Sequence, residues 1–370
     1  MSYKIISVVG ARPNFMKVAP LSRTFDSVEE IEHIIVHTGQ HYDKNMSDAF
    51  FEDLDMPQPK HFLNVGSATH SEQTARIMIE FEKVLDIEKP NMVIVVGDVN
   101  STIACALTAT KKNILVSHIE AGLRSFDRSM PEEINRLATD AICDFAFVSE
   151  PSGMKHLKEE NFPLEKTFFV GNNMIDSQYY GLKKLESRED LKGLIPKDDY
   201  ALITIHRPSN VDNKQQLSML MNLLNEYSKR IKMIFPIHPR TVNNLEKFGL
   251  KELIFDNPNI ITYEPLSYLK FLNFMKEARL VITDSGGVQE ETTALKVPCI
   301  TLRNSTERPI TVEVGTNELV IPEEKLIREA FDKVLNGKFK NGNIPELWDG
   351  NAAIRTCNII LKILKSRKND

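Results

Sequence analysis

The residues that could do chemistry in this sequence stand at the ends of short apolar runs. The run Leu280 to Ile282 turns through Asp284, Ser285, Gly286 and Gly287 into a helical pattern that carries Glu290 and Glu291. Paired glycines let the backbone approach a ligand with no Cβ in the way, and the first N–H groups of a helix have no partner inside it, so an anion suits this turn. Arg303 and Arg308 follow the next apolar run, Pro298 to Leu302, which makes phosphate the natural guest. Ser285 as an ordinary N-cap is the plainer alternative.

The other strand ends add acids, bases and cations. Gly10 to Lys17 offers Arg12 and Lys17, as phosphate ligands or as solvated surface; its spacing is neither GxGxxG nor a Walker loop, which argues against tight NAD binding and ATP hydrolysis. Asp98, in GDVNST after Val96, is a helix cap or a site carboxylate. Glu120 follows the next run, and Glu132 and Glu133 open a helix behind Pro131, where acids also complement the dipole. Three carboxylates, Asp98, Glu120 and Glu132, beside basic groups and without metal-ligand spacing point to proton transfer rather than metal chemistry. His206, in THRP-like order Thr204-Ile205-His206-Arg207-Pro208, and His238, in Pro236-Ile237-His238-Pro239-Arg240, end two further runs. Each is a structural histidine or a donor to phosphate.

Positioning such residues requires parallel sheets, because ligands there bind beyond the carboxyl ends of the strands. The apolar runs Ile5–Val9, His33–Val36, Met92–Val96, Ile114–Val116, Phe145–Val148 and Phe168–Val170 alternate with helical patterns. A second series runs Leu202–Ile205, Met233–Ile237, Ile260–Tyr263, Leu280–Thr283 and Cys299–Leu302, with Leu217, Leu220, Met221 and Leu224 at helical spacing between its first two strands. Such alternation predicts βαβ units in two doubly wound α/β halves, with a seam near Gly171 to Ser177. A last helix, Asn351 to Lys365, places Ile354, Leu361 and Leu364 on one face and must dock somewhere.

Composition narrows the class. With 46 basic against 51 acidic side chains in 370 residues, and no basic block, nucleic acid and anionic membrane are excluded as partners. The four cysteines are isolated, which predicts a reducing compartment and no structural zinc. No apolar run approaches the ~18 residues of a membrane span, so the expectation is a cytoplasmic protein.

The segments GARPNFMKVAP, TGQHYD, GDVNST, HIEAGLRSFDRSMPEEINR, HRPSN, TDSGGVQEE and TERP, in that order from the first strand to about Gly315, resemble the non-hydrolysing UDP-N-acetylglucosamine 2-epimerase family. The resemblance implies two Rossmann-like domains of the GT-B kind with the active site in the cleft between them. These would span 1–172, with the C-terminal helix of about 351–368 packing back on it, and 173–350, which would bind UDP. It implies a homodimer that interconverts UDP-GlcNAc and UDP-ManNAc with no cofactor and no metal. UDP is eliminated across C1 and C2 to a 2-acetamidoglucal and then re-added. By resemblance Asp98, Glu120 and Glu132 are the acid/base set and His206 contacts the phosphates. Arg12, Lys17, Ser285, Gly286, Gly287 and Arg308 would hold the diphosphate, Glu291 the ribose and Phe271 the uracil. Asn14-Phe15 stands where many members have Glu-Ala, and Leu266 where some have a glutamine. Gln40, Arg207 and His238 match parts of a second, activating substrate site known in some bacterial members, whereas Asp43 and the Gly66 to His70 region do not. The alternatives are a 2-epimerase for a UDP-2,3-diacetamido uronic acid, which Arg308-Pro309 disfavours, and a GT-B glycosyltransferase, which would leave the carboxylate trio unexplained.

Overall fold

The computed structural model describes residues 2–40 and 51–367, apart from the side chains of Arg12 and Lys192. The chain forms two compact units, Met1–Tyr180 with Glu346–Asp370, and Gly181–Pro345.

The first unit is built on β1 (Tyr3–Val9), β2 (Ile31–His37), β3 (His61–Phe62), β4 (Met92–Val96), β5 (Leu115–Ile119), β6 (Phe145–Val148) and β7 (Thr167–Phe169). They form one sheet in the order β3-β2-β1-β4-β5-β6-β7, every pair parallel. Helices cover both faces, so a central strand such as β4 (MVIVV) is buried along its whole length, as its continuous apolar run predicts. The core gathers Ile6, Val8, Val36, Phe81, Val93, Val95 and Val116.

The second unit repeats the plan with β8 (Tyr200–Thr204), β9 (Lys232–Pro236), β10 (Ile260–Tyr263), β11 (Leu280–Thr283), β12 (Cys299–Leu302) and β13 (Asn317–Val320), ordered β10-β9-β8-β11-β12-β13 and all parallel. Leu217, Leu220, Met221 and Leu224 of the helix Lys214–Tyr227 are buried in its core, where Tyr227 stacks on Phe331 at 4.3 Å. In each sheet the strand order reverses once at the centre, between β1 and β4 and between β8 and β11. That reversal opens a crevice at the carboxyl ends of the strands, because the connections leave in opposite directions.

Several sequence expectations need correction. The strands β3 and β13 were not anticipated, one being two residues long and the other, NELV, half polar. β5 starts a residue late and continues through Ser117 and His118, whose polar groups are satisfied inside the sheet by Met92 Sδ at 3.1 Å and by Asp140 at 2.6 Å. The last helix, Ala352–Ser366, buries Ala352, Ala353, Thr356, Cys357, Ile360 and Leu364, and leaves Ile354 49% exposed. Its buried stripe runs through small residues, which the search for large apolar side chains passed over. Within the first unit the Asp176 carboxylate accepts the first helical N–H groups, from Ala352 (3.1 Å) and Ala353 (2.7 Å), and Trp348 Nε1 donates to Ser149 O at 3.0 Å.

Candidate active site

The switch point of the first sheet brings the turns after β1, β4 and β5 together. Gly10 follows β1 because nothing larger fits: a Cβ there would lie 2.1 Å from Ser101 Oγ and 2.6 Å from Thr38 Oγ1. Asn14 Oδ1 accepts the Gly10 and Ala11 N–H groups, each at 3.0 Å, and Asn14 Nδ2 donates to Val96 O at 3.1 Å, which ties the first turn to the end of β4. Lys17, one turn further along the helix Arg12–Asp26, reaches across and pairs with Glu120 Oε1 at 2.6 Å, both side chains being nearly sealed from solvent. The side chain of Arg12, like His41 to Asp43 of the TGQHYD segment, lies outside the described residues.

Glu120 adopts φ +71°, a left-handed conformation that a non-glycine residue holds only when its surroundings enforce it. Its N–H and that of Ala121 both donate to Phe147 O. Asp98 pairs with Arg136 Nη1, and Arg136 is also held by Glu133 through Nε at 3.0 Å and Nη2 at 2.8 Å. Glu133 is structural: buried, it accepts from Ser125 N–H, Ser125 Oγ and Phe126 N–H. Burial acts to raise its pKa, but these donors and Arg136 hold it below the usual carboxylate range. Glu132, its neighbour on the other side of the helix start, is half-buried and makes no hydrogen bond or ion pair among the described residues. Two carboxylates are thus pre-paired with cations and a third is open.

The switch point of the second sheet carries His206 after β8 and Asp284 after β11. Asp284, fully buried, accepts from the His206 and Arg207 N–H groups at 2.9 and 2.8 Å and from Asn210 Nδ2 at 3.0 Å. Its carboxylate also lies 2.9 Å from His206 Nδ1. Burial acts to raise Asp284, and the hydrogen bond and charge of His206 outweigh it, so the carboxyl sits below its ordinary range. A histidine whose Nδ1 donates to a fixed carboxylate turns Nε2 outward as its free edge. The His238 ring lies 5.5 Å from that of His206, with its Nδ1 accepting the Arg240 N–H.

Ser285 occupies the N-cap position of the helix Gly286–Leu295 yet makes no side-chain capping bond, so the first-turn N–H groups stay open to a ligand. Gly286 is required by closeness: its Cβ would lie 3.0 Å from Glu307 Oε1 and 3.1 Å from Arg308 Nη1. Arg308 pairs with Glu290 at 2.7 Å and with Glu307, and Glu307 also takes Arg303 Nη2 at 2.8 Å. This buried array of two guanidinium groups and two carboxylates fixes the Arg308 plane beside the glycine turn. Glu291 is buried on the same helix and Phe271 is half-buried on the helix Tyr268–Glu277.

Within the first unit the pairs Lys17–Glu120 and Asp98–Arg136 both follow strand ends at the switch point, and within the second Ser285 to Gly287 lie beside Arg308. Arg136 and Asp284 were missed as site residues. Arg136 was findable, since it stands four residues after Glu132 and so on the same helix face; Asp284 precedes Ser285 directly. Among the described residues no cluster of three or more His, Cys, Asp or Glu could hold a metal ion, and no helix is long and apolar enough to cross a membrane.

Fold and site together define a two-unit α/β protein with an uncapped glycine turn at a helix start in one unit and cation-paired carboxylates in the other. Residues 23–361 match the family described as UDP-N-acetylglucosamine 2-epimerase, and the chain belongs to that family. It is 46% identical over 343 residues to the UDP-N-acetylglucosamine 2-epimerase of Methanocaldococcus jannaschii, covering 90% of this chain and 93% of the relative. A crystal structure of the Methanocaldococcus jannaschii enzyme in complex with UDP-GlcNAc and UDP superimposes with a TM-score of 0.89 at 43% identity, over 97% of this chain and 99% of that one. A UDP-2,3-diacetamido-2,3-dideoxy-D-glucuronate 2-epimerase from Pseudomonas aeruginosa is 39% identical over 330 residues, 88% of this chain and 91% of the relative.

Proposed function

We propose that this protein interconverts UDP-GlcNAc and UDP-ManNAc without hydrolysis. The observation that carries the reading is the pair of cation-held carboxylates, buried Glu120 on Lys17 and half-buried Asp98 on Arg136, at one switch point of a chain that belongs to a 2-epimerase family.

Inverting C2 of this sugar is hard, because no carbonyl acidifies its hydrogen. Elimination avoids the difficulty. As a base takes the C2 proton, that electron pair forms the C1=C2 bond and the C1–O pair leaves with the β-phosphate, giving 2-acetamidoglucal and UDP. In the return step a UDP oxygen attacks C1 and C2 takes a proton on the opposite face. Neither step transfers a hydride, so the sequence asks for no nicotinamide. It needs carboxylates that exchange protons and donors that stabilise the departing diphosphate. Asp98, Glu120 and Glu132 fill the first role. Ser285, Gly286, Gly287, Arg308 and His206 fill the second, with Glu291 on the ribose and Phe271 on the uracil; Arg12 joins them on the resemblance alone. Lys17, which the sequence suggested for the diphosphate, also steadies Glu120 through its ion pair. The proposal extends to a cytoplasmic homodimer, in keeping with four buried, unpaired thiols.

The test is to incubate the chelator-treated protein with UDP-GlcNAc in D2O, with no NAD, and follow it by NMR. Deuterium at C2 together with UDP-ManNAc is expected, and Asp98→Asn, Glu120→Gln and Glu132→Gln should each lose the exchange while keeping UDP affinity. Exchange retained in all three variants would sink the assignment. The 39%-identical relative supports one other substrate, a UDP-2,3-diacetamido uronic acid. Unlabelled UDP-GlcNAc with turnover of that compound would establish it.

A further inference from the structure

His118 belongs to no ligand turn, yet it lies between the two cation-held carboxylates. It is fully buried in β5, two residues before Glu120. Its Nε2 lies 2.8 Å from the carbonyl oxygen of Gly97, the residue before Asp98, and its Nδ1 lies 2.6 Å from Asp140 Oδ1. A carbonyl oxygen offers only lone pairs, so Nε2 carries a hydrogen. Asp140 already accepts from the Gly122 N–H at 3.0 Å and from Arg124 at 2.7 Å. Burial acts to raise Asp140, but His118 and Arg124 hold it below the usual carboxylate range. Arg124 is balanced in turn by Glu160 through Nε at 2.8 Å.

The same turn is tied on its other side. The Gly97 N–H donates to Ile119 O at 3.1 Å, so the peptide units flanking Gly97 are both anchored to β5. Gly97 adopts φ +66°, and a Cβ there would lie 3.0 Å from Lys17 Nζ and 3.9 Å from Glu120 Oε1, which leaves the turn little slack.

We propose that His118 is a positioning residue: donating through Nε2 to Gly97 O, with its Nδ1 edge held by Asp140, it clamps the Gly97–Asp98 turn to the strand that ends just before Glu120 and so fixes the spacing of the two carboxylates. This rests on the reading of Asp98 and Glu120 as acid/base groups. A displacement on the scale of an ångström costs about 100-fold in rate when the displaced group acts on a reacting atom.

The experiment compares full-length wild type, His118→Phe and His118→Gln in the UDP-GlcNAc assay, with UDP affinity and melting temperature measured alongside. His118→Phe is expected to lose about 100-fold in kcat with UDP affinity unchanged. His118→Gln keeps an N–H donor that can reach Gly97 O and should recover about tenfold of that loss, the worth of one buried hydrogen bond. Equal rates for the two variants, or His118→Phe within about twofold of wild type, would overturn the clamp. Should His118→Phe not fold, nitrogen-15 NMR of histidine-labelled wild type decides: a proton on Nε2 of His118 supports the clamp, and a bare Nε2 defeats it. Absence of wild-type turnover would instead defeat the functional reading, with the nitrogen signature standing apart from that result.

Discussion

At the scale of single residues, the pairing of Lys17 with Glu120 separates charge balance from ligand binding. Both side chains are almost fully buried, so removing one leaves the other uncompensated, at a cost of about 3–5 kcal/mol. Lys17→Met should therefore unfold markedly more easily in urea, and the double variant Lys17→Met, Glu120→Gln should recover most of that stability while remaining inactive. A Lys17→Met protein as stable as wild type would show that the pair is not what holds Glu120. His206 makes the opposite prediction. Its side chain is 37% exposed and its ring is tied to Asp284 by a single edge, so His206→Asn removes little packing. We expect a melting temperature close to wild type and a kcat lower by at least about 100-fold, the ordinary worth of a positioned donor to a leaving group. A loss confined to stability would make His206 a structural histidine, the plainer of the two readings its sequence allows.

At the scale of elements, Glu88 shows how strand ends and a helix are tied by charge. It closes the helix His70–Glu88 and meets Lys4 of β1 at 3.0 Å, Lys60 at 2.7 Å and His61 of β3 at 2.7 Å. Burial alone would raise this carboxyl, but the hydrogen bonds from Lys60, His61 and Lys4 hold it at about 2. A carboxyl depressed in the folded state adds stability that is complete above its unfolded value, near 4.5, and that is lost as the pH falls toward 2. Because Lys60 and Lys4 are partly solvated, about 2 kcal/mol is the expected size. The difference in unfolding free energy between wild type and Glu88→Gln should thus be constant from pH 8 to 5 and shrink below pH 4.5; a constant difference across the acid range would contradict it. Elements were also where the sequence was most legible. β4, β6, β11 and β12 match the apolar runs residue for residue, because a strand covered on both faces has no reason to be anything but apolar; the edge strand β10 matches its run as well although only Ile260 is buried. β5 and the last helix were misread for the converse reason. Polar residues can sit in a sheet when buried partners satisfy them, as His118 does, and a helix can dock through Ala353, Thr356 and Cys357, whose small side chains leave no large apolar signal. The site was legible as positions after strands; its partners were not, since the pairing of Asp98 with Arg136 and of His206 with Asp284 depends on which strands become neighbours.

At the scale of the whole molecule, the groups proposed for the nucleotide, Arg12 and Lys17 apart, and those proposed for proton transfer fall in different units, each with its own core. Ser285 to Gly287, Glu291, Phe271 and Arg308 belong to Gly181–Pro345, whereas Asp98, Glu120 and Glu132 belong to the other unit. UDP without its sugar should therefore act on one unit's stability. A ligand that binds only the folded form contributes RT ln(1 + [L]/Kd), about 2.7 kcal/mol at a hundredfold excess over Kd. Native-state hydrogen exchange should show that gain at the amides of β11, β12 and the helix Gly286–Leu295, because these border the turn and the guanidinium proposed for the diphosphate. Arg308→Lys keeps the charge but loses the planar fork that Glu290 and Glu307 align beside Gly286, so its UDP protection should drop sharply. Glu120→Gln should leave that protection intact, since its proposed role is at the sugar carbon and not at the nucleotide. If UDP protected chiefly the amides after β1 and β4, the diphosphate would belong with Lys17, and the division of labour between the units would have to be reversed.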